Sequence, residues 1–201
     1  MKTRIRPLIM LLCAATATLL AVAPAAQAGY IVTLEQVGSN VVATGSGAID
    51  LTGLPVIGQG DSLSAIAPVV AVITTGPAFR VQVNLYGLGL VGPTMFGSGF
   101  TSFASSGSGD FVGINIPGGL FVPNGYVSGA ALSDSMTVNN ATFASLGVTP
   151  GTYIWSWGTG LPNQNFTLII GGVGVPDGGT TISLLGCALL GLAALRRKLS
   201  C

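Results

Sequence analysis

The last 27 residues of the chain, 175–201, contain three features in an order that is typical of a processing signal or a membrane anchor. A turn-forming sequence at 175–179 comes first, an apolar run at 181–195 follows, and a basic cluster at 196–198 closes the segment. As a helix, the 15-residue run would be about 22 Å long, against about 30 Å for the hydrocarbon core of a bilayer. The basic cluster predicts a cytoplasmic C-terminus. On geometry alone, both a removable sorting signal and a simple tail anchor fit this segment.

Individual residues of this segment carry a family resemblance. They are the motif residues Val175, Pro176, Asp177, Gly178 and Gly179, and the basic residues Arg196, Arg197 and Lys198. The segment resembles the PEP-CTERM class of sorting domains, and most closely its VPDSG-type variant, which usually has Ser where this chain has Gly178. The departure bears on which processing enzyme acts, and not on the class.

The resemblance implies a biological setting. It implies an exosortase-type membrane transpeptidase as partner, acting on the motif at the outer face of the membrane. It also implies a Gram-negative-type bacterium that makes exopolysaccharide or a related surface matrix. The C-terminal helix would tether the protein to the membrane until processing. The protein would then remain at the cell surface or in the matrix.

The N-terminus has the features of a secretory signal peptide. Three basic residues lie within the first six positions, and an apolar stretch covers 8–23. Ala26-Gln27-Ala28 forms a small-x-small cleavage sequence, which predicts that signal peptidase cuts between Ala28 and Gly29. The chain therefore divides into a signal peptide at 1–28, a secreted domain at 29–174 and a sorting signal at 175–201.

The charge of the 146-residue secreted domain excludes several classes of function. It contains one basic residue, Arg80, and five acidic residues, so its net charge is −4. A nucleic-acid partner is excluded, because a single basic residue cannot neutralise a series of phosphates. The chain has no histidine, and its three cysteines lie outside this domain. Histidine-based catalytic triads and most zinc sites are therefore excluded, and we predict no metal or cofactor.

Alternating apolar and polar residues between Gly/Pro turns predict an all-β domain. In 79–86, for example, Phe79, Val81 and Val83 fall on one face and Arg80 and Gln82 on the other. We predict an antiparallel β-sandwich, flanked by a signal-peptide helix and a C-terminal transmembrane sorting helix. Residues 51–64 are predicted to form a loop. The predicted strands are 30–37, 40–49, 69–74, 79–86, 96–106, 110–116, 135–141, 152–157 and 165–170.

One row of aromatic residues could bind a ligand. Tyr153, Trp155 and Trp157 alternate and therefore share one face of a strand. If exposed, the row could stack sugar rings. If buried, it packs the core with Phe166 and Leu168, which the weak core character of the opposite face favours. The surrounding sequence, 146–153, resembles the corner that precedes a late strand in β-sandwiches.

The scattered carboxylates could also carry chemistry. Asp110 and Asp134 could pair with Asp50 or Asp61 as the two carboxylates of a glycoside hydrolase. They could also help to bind calcium, although no Asp-x-Asp-x-Asp spacing is present. The alternative is that they serve solubility.

Three functions follow from these observations. The first is a non-enzymatic exported surface or matrix protein. The second is a carbohydrate-binding module that uses the aromatic row, with exopolysaccharide as its ligand. The third, a secreted hydrolase, is disfavoured by the missing histidines and the few carboxylates. Exposure of the two tryptophans distinguishes the first from the second.

Overall fold

The computed structural model describes residues 29–87, 89–116 and 118–171, and these residues are mostly β-structure. The predicted signal helix and sorting helix lie outside the described residues. Within these residues, no helix has the length and apolar character needed to cross a membrane. The strands in chain order are β1 (Tyr30–Val37), β2 (Asn40–Ala48), β3 (Val56–Ser62), β4 (Ala65–Ala67), β5 (Val72–Thr75), β6 (Val81–Tyr86), β7 (Ser102–Phe103), β8 (Ser106–Gly109), β9 (Val112–Asn115), β10 (Gly119–Pro123), β11 (Ala131–Val138), β12 (Gly151–Ser156) and β13 (Asn165–Ile170).

The strands form two sheets that share one hydrophobic core. The six-stranded sheet has the order β12-β13-β1-β2-β11-β8, and the seven-stranded sheet has the order β3-β6-β10-β9-β5-β4-β7. Every ladder of the described residues is antiparallel except one, in which β1 pairs with β13 in parallel. The prediction of an all-β fold is confirmed, whereas the parallel pairing of the first and last strands was not predicted.

Alternation decides which face of each strand enters the core. In β1, Tyr30, Val32 and Leu34 are buried, and in β13 Phe166 and Leu168 are buried on the same side. Because β1 lies between β2 and β13, these side chains form the centre of the inner face of the six-stranded sheet. A turn at 38–39, with Gly38 in the left-handed region, joins β1 to β2 as the sequence predicts.

Several predicted boundaries were wrong. The predicted loop at 51–64 contains β3, an edge strand of the seven-stranded sheet. None of the residues of β3 is buried, so the strand lacks the alternation of buried and exposed residues that predicts a strand. The predicted strand at 96–106 is mostly irregular and ends in the two short strands β7 and β8. Phe79, expected to face the core, lies before β6 and is 67% exposed. β4 and β10 were missed, since each is short and is flanked by turn residues.

Two single-turn helices interrupt the strands, although the sequence has no helical periodicity. A 3-10 turn at Pro68–Val70 occupies the start of the strand predicted at 69–74. The other, α1 (Phe143–Leu146), follows β11, which begins at Ala131, earlier than predicted. Thr142 and Ser145 form a capping box at the N-terminus of α1, and the hydrogen bonds of this box stabilise so short a helix.

Two neighbouring residues of β13 test this assignment of faces. Leu168 is fully buried, so Leu168→Ala should lower the free energy of unfolding by about 2–5 kcal/mol through lost burial and a cavity. Ile169 points to the outer face and is only partly buried, so Ile169→Ala should cost about 1 kcal/mol. Urea unfolding of the exported protein measures both values. Equal losses, or a larger loss at Ile169, would contradict the register.

Candidate functional site

The aromatic row on β12 faces the core and not the solvent. Trp155 is fully buried and Trp157 is 3% exposed. The Trp155 indole packs edge-to-face against Phe166, with ring centroids 6.0 Å apart. Its Nε1–H donates to the Pro93 carbonyl at 2.7 Å, and the Trp157 Nε1–H donates to the Asp50 carbonyl at 2.7 Å. The hypothesis that these indoles stack sugar rings is therefore wrong, because neither ring has a face open to a ligand.

Tyr153, the third residue of the row, forms a corner at the start of β12. Its hydroxyl donates to the Thr149 carbonyl, four residues upstream, at 3.0 Å. Its ring lies 5.9 Å from that of Phe96, centroid to centroid. This is the tyrosine-corner geometry of β-sandwiches, which the sequence of this segment resembles. Tyr153 therefore orients the strand, and only its two neighbours in the row are fully enclosed.

Fluorescence tests the burial of the row, because Trp155 and Trp157 are the chain's two tryptophans. The exported protein should emit at shorter wavelength than free tryptophan and resist quenching by acrylamide. Unfolding in guanidinium should remove both properties. Folded protein that emits like free tryptophan and is quenched freely would contradict this arrangement.

Asp134, for which the sequence left a catalytic dyad, a calcium site and a solubility role open, points from β11 into the core and is only 8% exposed. Its Oδ2 accepts hydrogen bonds from the Tyr30 hydroxyl at 2.5 Å and from Thr75 Oγ1 at 2.8 Å. Thr75 belongs to the opposite sheet, where its hydroxyl also lies 3.1 Å from the Val112 carbonyl oxygen. The three side chains therefore bridge the two sheets, and we call them the Tyr30–Asp134–Thr75 cluster.

A glycine makes room for this cluster. Gly45 of β2 lies between Val32 of β1 and Asp134 of β11 in the sheet register. A Cβ atom at Gly45 would overlap the Tyr30 hydroxyl and Asp134 Oδ1. Without that Cβ atom, the tyrosine can reach across β2 to the carboxyl group.

Burial raises the pKa of Asp134 to about 6, and the negative charge of Asp110 adds to the rise. Hydrogen bonds from Tyr30 and Thr75 oppose it. Burial, reinforced by Asp134, also raises the pKa of Tyr30 far above its usual value, so the phenol keeps its proton. Once protonated, Asp134 could donate from Oδ2 to Thr75, which would then donate to the Val112 carbonyl. Asp134 Oδ1 has no hydrogen-bond partner among the described residues.

This pKa shift predicts a pH dependence of stability. The folded state holds the proton of Asp134 more tightly than the unfolded state does, so the stabilisation is lost as the pH rises towards and through about 6. The free energy of unfolding should be about 2 kcal/mol greater at pH 4.5 than at pH 7.5. Urea titrations at the two pH values measure the difference.

Asp134→Asn should remove most of this difference, because the amide does not titrate. Asp61→Asn, at an exposed position of β3, is the matched control and should leave the difference in place. A wild-type protein that is equally stable at both pH values would contradict the buried carboxyl.

The other carboxylates form neither a dyad nor a cation site. Asp110 Oδ2 accepts from the Ser133 backbone N–H at 2.9 Å, beside the buried Asp134. Asp50 anchors a loop, and hydrogen bonds from Thr52 hold the pKa of its carboxyl below the ordinary value. Asp61 lies apart on β3. In the part of the chain that the structure describes, no three His, Cys, Asp or Glu residues are grouped as metal ligands. Asp110 is near enough to raise the pKa of Asp134, but the Asp134 carboxyl group is buried and out of reach of a substrate.

A groove that the sequence did not predict lies on the opposite face of β12. Its volume is about 490 Å³, and we call it the β12–β13 groove. Its lining comes from the outer face of three adjacent strands and from the loop between β12 and β13. The lining residues are Ile31, Ile154, Ser156, Gly160, Leu161, Gln164, Asn165 and Thr167. The outward positions of β12 have a weak core character in the sequence. That character is the signal that could have indicated an exposed groove.

Comparison with known families bears on the tail. Residues 174–199 match the model of the VPDSG-CTERM motif, which confirms the predicted resemblance. The match covers about an eighth of the chain and identifies a sorting segment of the PEP-CTERM type. Such a motif implies export, surface association and processing by an exosortase-type enzyme. The sorting residues, like the signal-peptide segment that ends at Ala28, lie outside the described residues. No curated protein and no solved structure matches the chain.

Proposed function

We propose that the chain is a non-enzymatic exported protein delivered to the cell surface or its surrounding matrix by removal of its C-terminal tail. The match at 174–199 is the observation that carries this proposal. Signal peptidase removes 1–28, and the apolar run at 181–195 then holds the protein in the membrane. An exosortase-type transpeptidase cuts within 175–179 and frees the β-domain from the tail.

The chemistry of the domain supports a non-enzymatic role. The chain has no histidine, and Arg80 is the one basic residue of the secreted part. The most perturbed carboxyl, Asp134, is enclosed by Tyr30 and Thr75, and Asp50 holds a loop. These groups stabilise the fold and present no nucleophile or general acid to a substrate. The tryptophans, being buried, give no support to a sugar-binding role for the inward face of β12.

Mass spectrometry of the protein recovered from the surface of its native host tests the processing step. Wild-type protein should begin at Gly29 and should lack 196–201. The double variant Pro176→Ala, Asp177→Ala should accumulate as a larger, membrane-retained form, because the processing enzyme no longer recognises the motif. Gly178→Ser, which restores the residue usual in the VPDSG variant, is the matched control and should be processed normally.

Wild-type surface protein that still carries Arg196 and Cys201 would contradict the proposal. The tail would then act as an ordinary anchor. Processing of the double variant at the wild-type rate would instead show that 175–179 is not the recognition motif.

A further inference from the structure

The β12–β13 groove has a lining without charge. Ile31, Ile154 and Leu161 supply aliphatic surface, and Ser156, Asn165 and Thr167 supply hydroxyl and amide groups. Ile154 is 53% exposed, so its side chain is free to contact a ligand. A small number of polar groups on a partly apolar, concave surface is the usual character of a small-ligand site, and the volume of about 490 Å³ lies within the usual range.

The wall of the groove is held rigidly by Gln164, which is 2% exposed. Its Oε1 accepts from the backbone N–H groups of Thr159 and Leu161, both at 3.0 Å. Its Nε2 donates to Asp50 Oδ2 at 3.2 Å and to the Thr52 carbonyl at 3.0 Å. The loop that carries Leu161 is therefore fixed beside the sheet before any ligand arrives, which lowers the entropy cost of binding.

The polar groups of the groove are available for a ligand. Within the described residues, the side chains of Ser156, Asn165 and Thr167 make no hydrogen bond that would compete. Beneath them, β13 is paired on both sides, with β12 and with β1, and β12 is the edge strand, whose one ladder is with β13. On the face of the sheet, a ligand would therefore meet side-chain hydroxyl and amide groups and aliphatic surface.

The groove continues into a surface rich in hydroxyl groups. The sheet register places Thr33 of β1, Thr44 of β2 and Ser135 of β11 side by side, and Ser108 of β8 follows. A second row, parallel to the first, runs from Thr167 through Ile31 and Ser46 to Ser133. Six strands at a spacing of about 4.8 Å span about 24 Å, the length of several linked sugar units.

We infer that the β12–β13 groove and its hydroxyl rows bind a neutral polysaccharide chain that lies across the strands. A saccharide presents both C–H faces and hydroxyl edges, which match the aliphatic and hydroxyl groups of this surface. An anionic chain would find no cationic side chain in the groove, since Arg80, the one basic residue described, precedes β6 of the other sheet. The buried Trp155 and Trp157 take no part in this binding.

Native gel electrophoresis of the exported protein through gels that contain a soluble polysaccharide tests the inference. The neutral probes are dextran, hydroxyethylcellulose, galactomannan and β-1,3-glucan, and alginate is the anionic probe. At least one neutral probe should retard the wild-type protein, and alginate should not.

Two variants locate the site. Thr167→Lys places a long charged side chain in the groove. Leu161→Ala removes an aliphatic contact from the loop between β12 and β13, and this loop reaches solvent and should tolerate the change. Thr167→Lys should lower the affinity for the polysaccharide, as measured by the retardation, at least about tenfold. That loss is equivalent to one or two lost hydrogen bonds. Thr101→Lys and Val127→Ala, at exposed positions outside the groove, are the matched controls and should bind normally. Leu161→Ala keeps the test decisive if the lysine variant fails to fold.

Four results would overturn the inference. In the first, no neutral probe retards the protein, and in the second, alginate alone retards it. In the third, both groove variants still bind, and in the fourth, light scattering shows a dimer that Thr167→Lys dissociates. The last would assign the groove to a second copy of the chain. The groove variants should still be exported and lose their tails, so failure of glycan binding is distinguishable from failure of the sorting proposal.

Discussion

The buried carboxyl group of Asp134 holds three strands and both sheets of this fold together. It joins the N-terminal strand, through Tyr30, to β11 and to Thr75 of the opposite sheet. An unpaired carboxylate in a core would be costly, and here a raised pKa and two hydroxyl partners limit that cost. A slip of one residue in β1 would turn Tyr30 to the outer face and leave the carboxyl group without its phenol. The cluster therefore fixes register as well as sheet packing.

Other carboxylates of the domain also accept hydrogen bonds within the protein. Asp50 accepts hydrogen bonds from Thr52 and Gln164, and Asp110 accepts from the backbone of Ser133. With these carboxylates engaged in holding loops and strands, the outer face of the six-stranded sheet presents mainly hydroxyl and aliphatic groups. Such a face is compatible with the proposed role at the cell surface or in its matrix.

The sequence predicted those strands whose residues alternate between buried and exposed along a single segment. Alternation predicted β1, β2, β12 and β13. The weak core character of the opposite face favoured burial of the tryptophan row, with an exposed, sugar-stacking row left as the alternative. Alternation failed at β3, where glycines and exposure on both faces remove the period of two, and at β10, which is five residues long between turns. It also failed for Asp134, because the partner that stabilises an inward carboxyl, Tyr30, lies 104 residues away. Parallel pairing of the first and last strands, and the groove built on them, are likewise long-range results that no local pattern contains.

Carbon-13 NMR titration of the side-chain carboxyl groups in the exported protein tests this account most directly, because it observes Asp134 itself. One carboxyl carbon should titrate near pH 6 and be absent in Asp134→Asn, while the carboxyl signal of Asp50 should titrate below its ordinary range. If every carboxyl group, including that of Asp134, instead titrates near the ordinary value of about 4, the side chain is solvated and the two sheets are not joined as described.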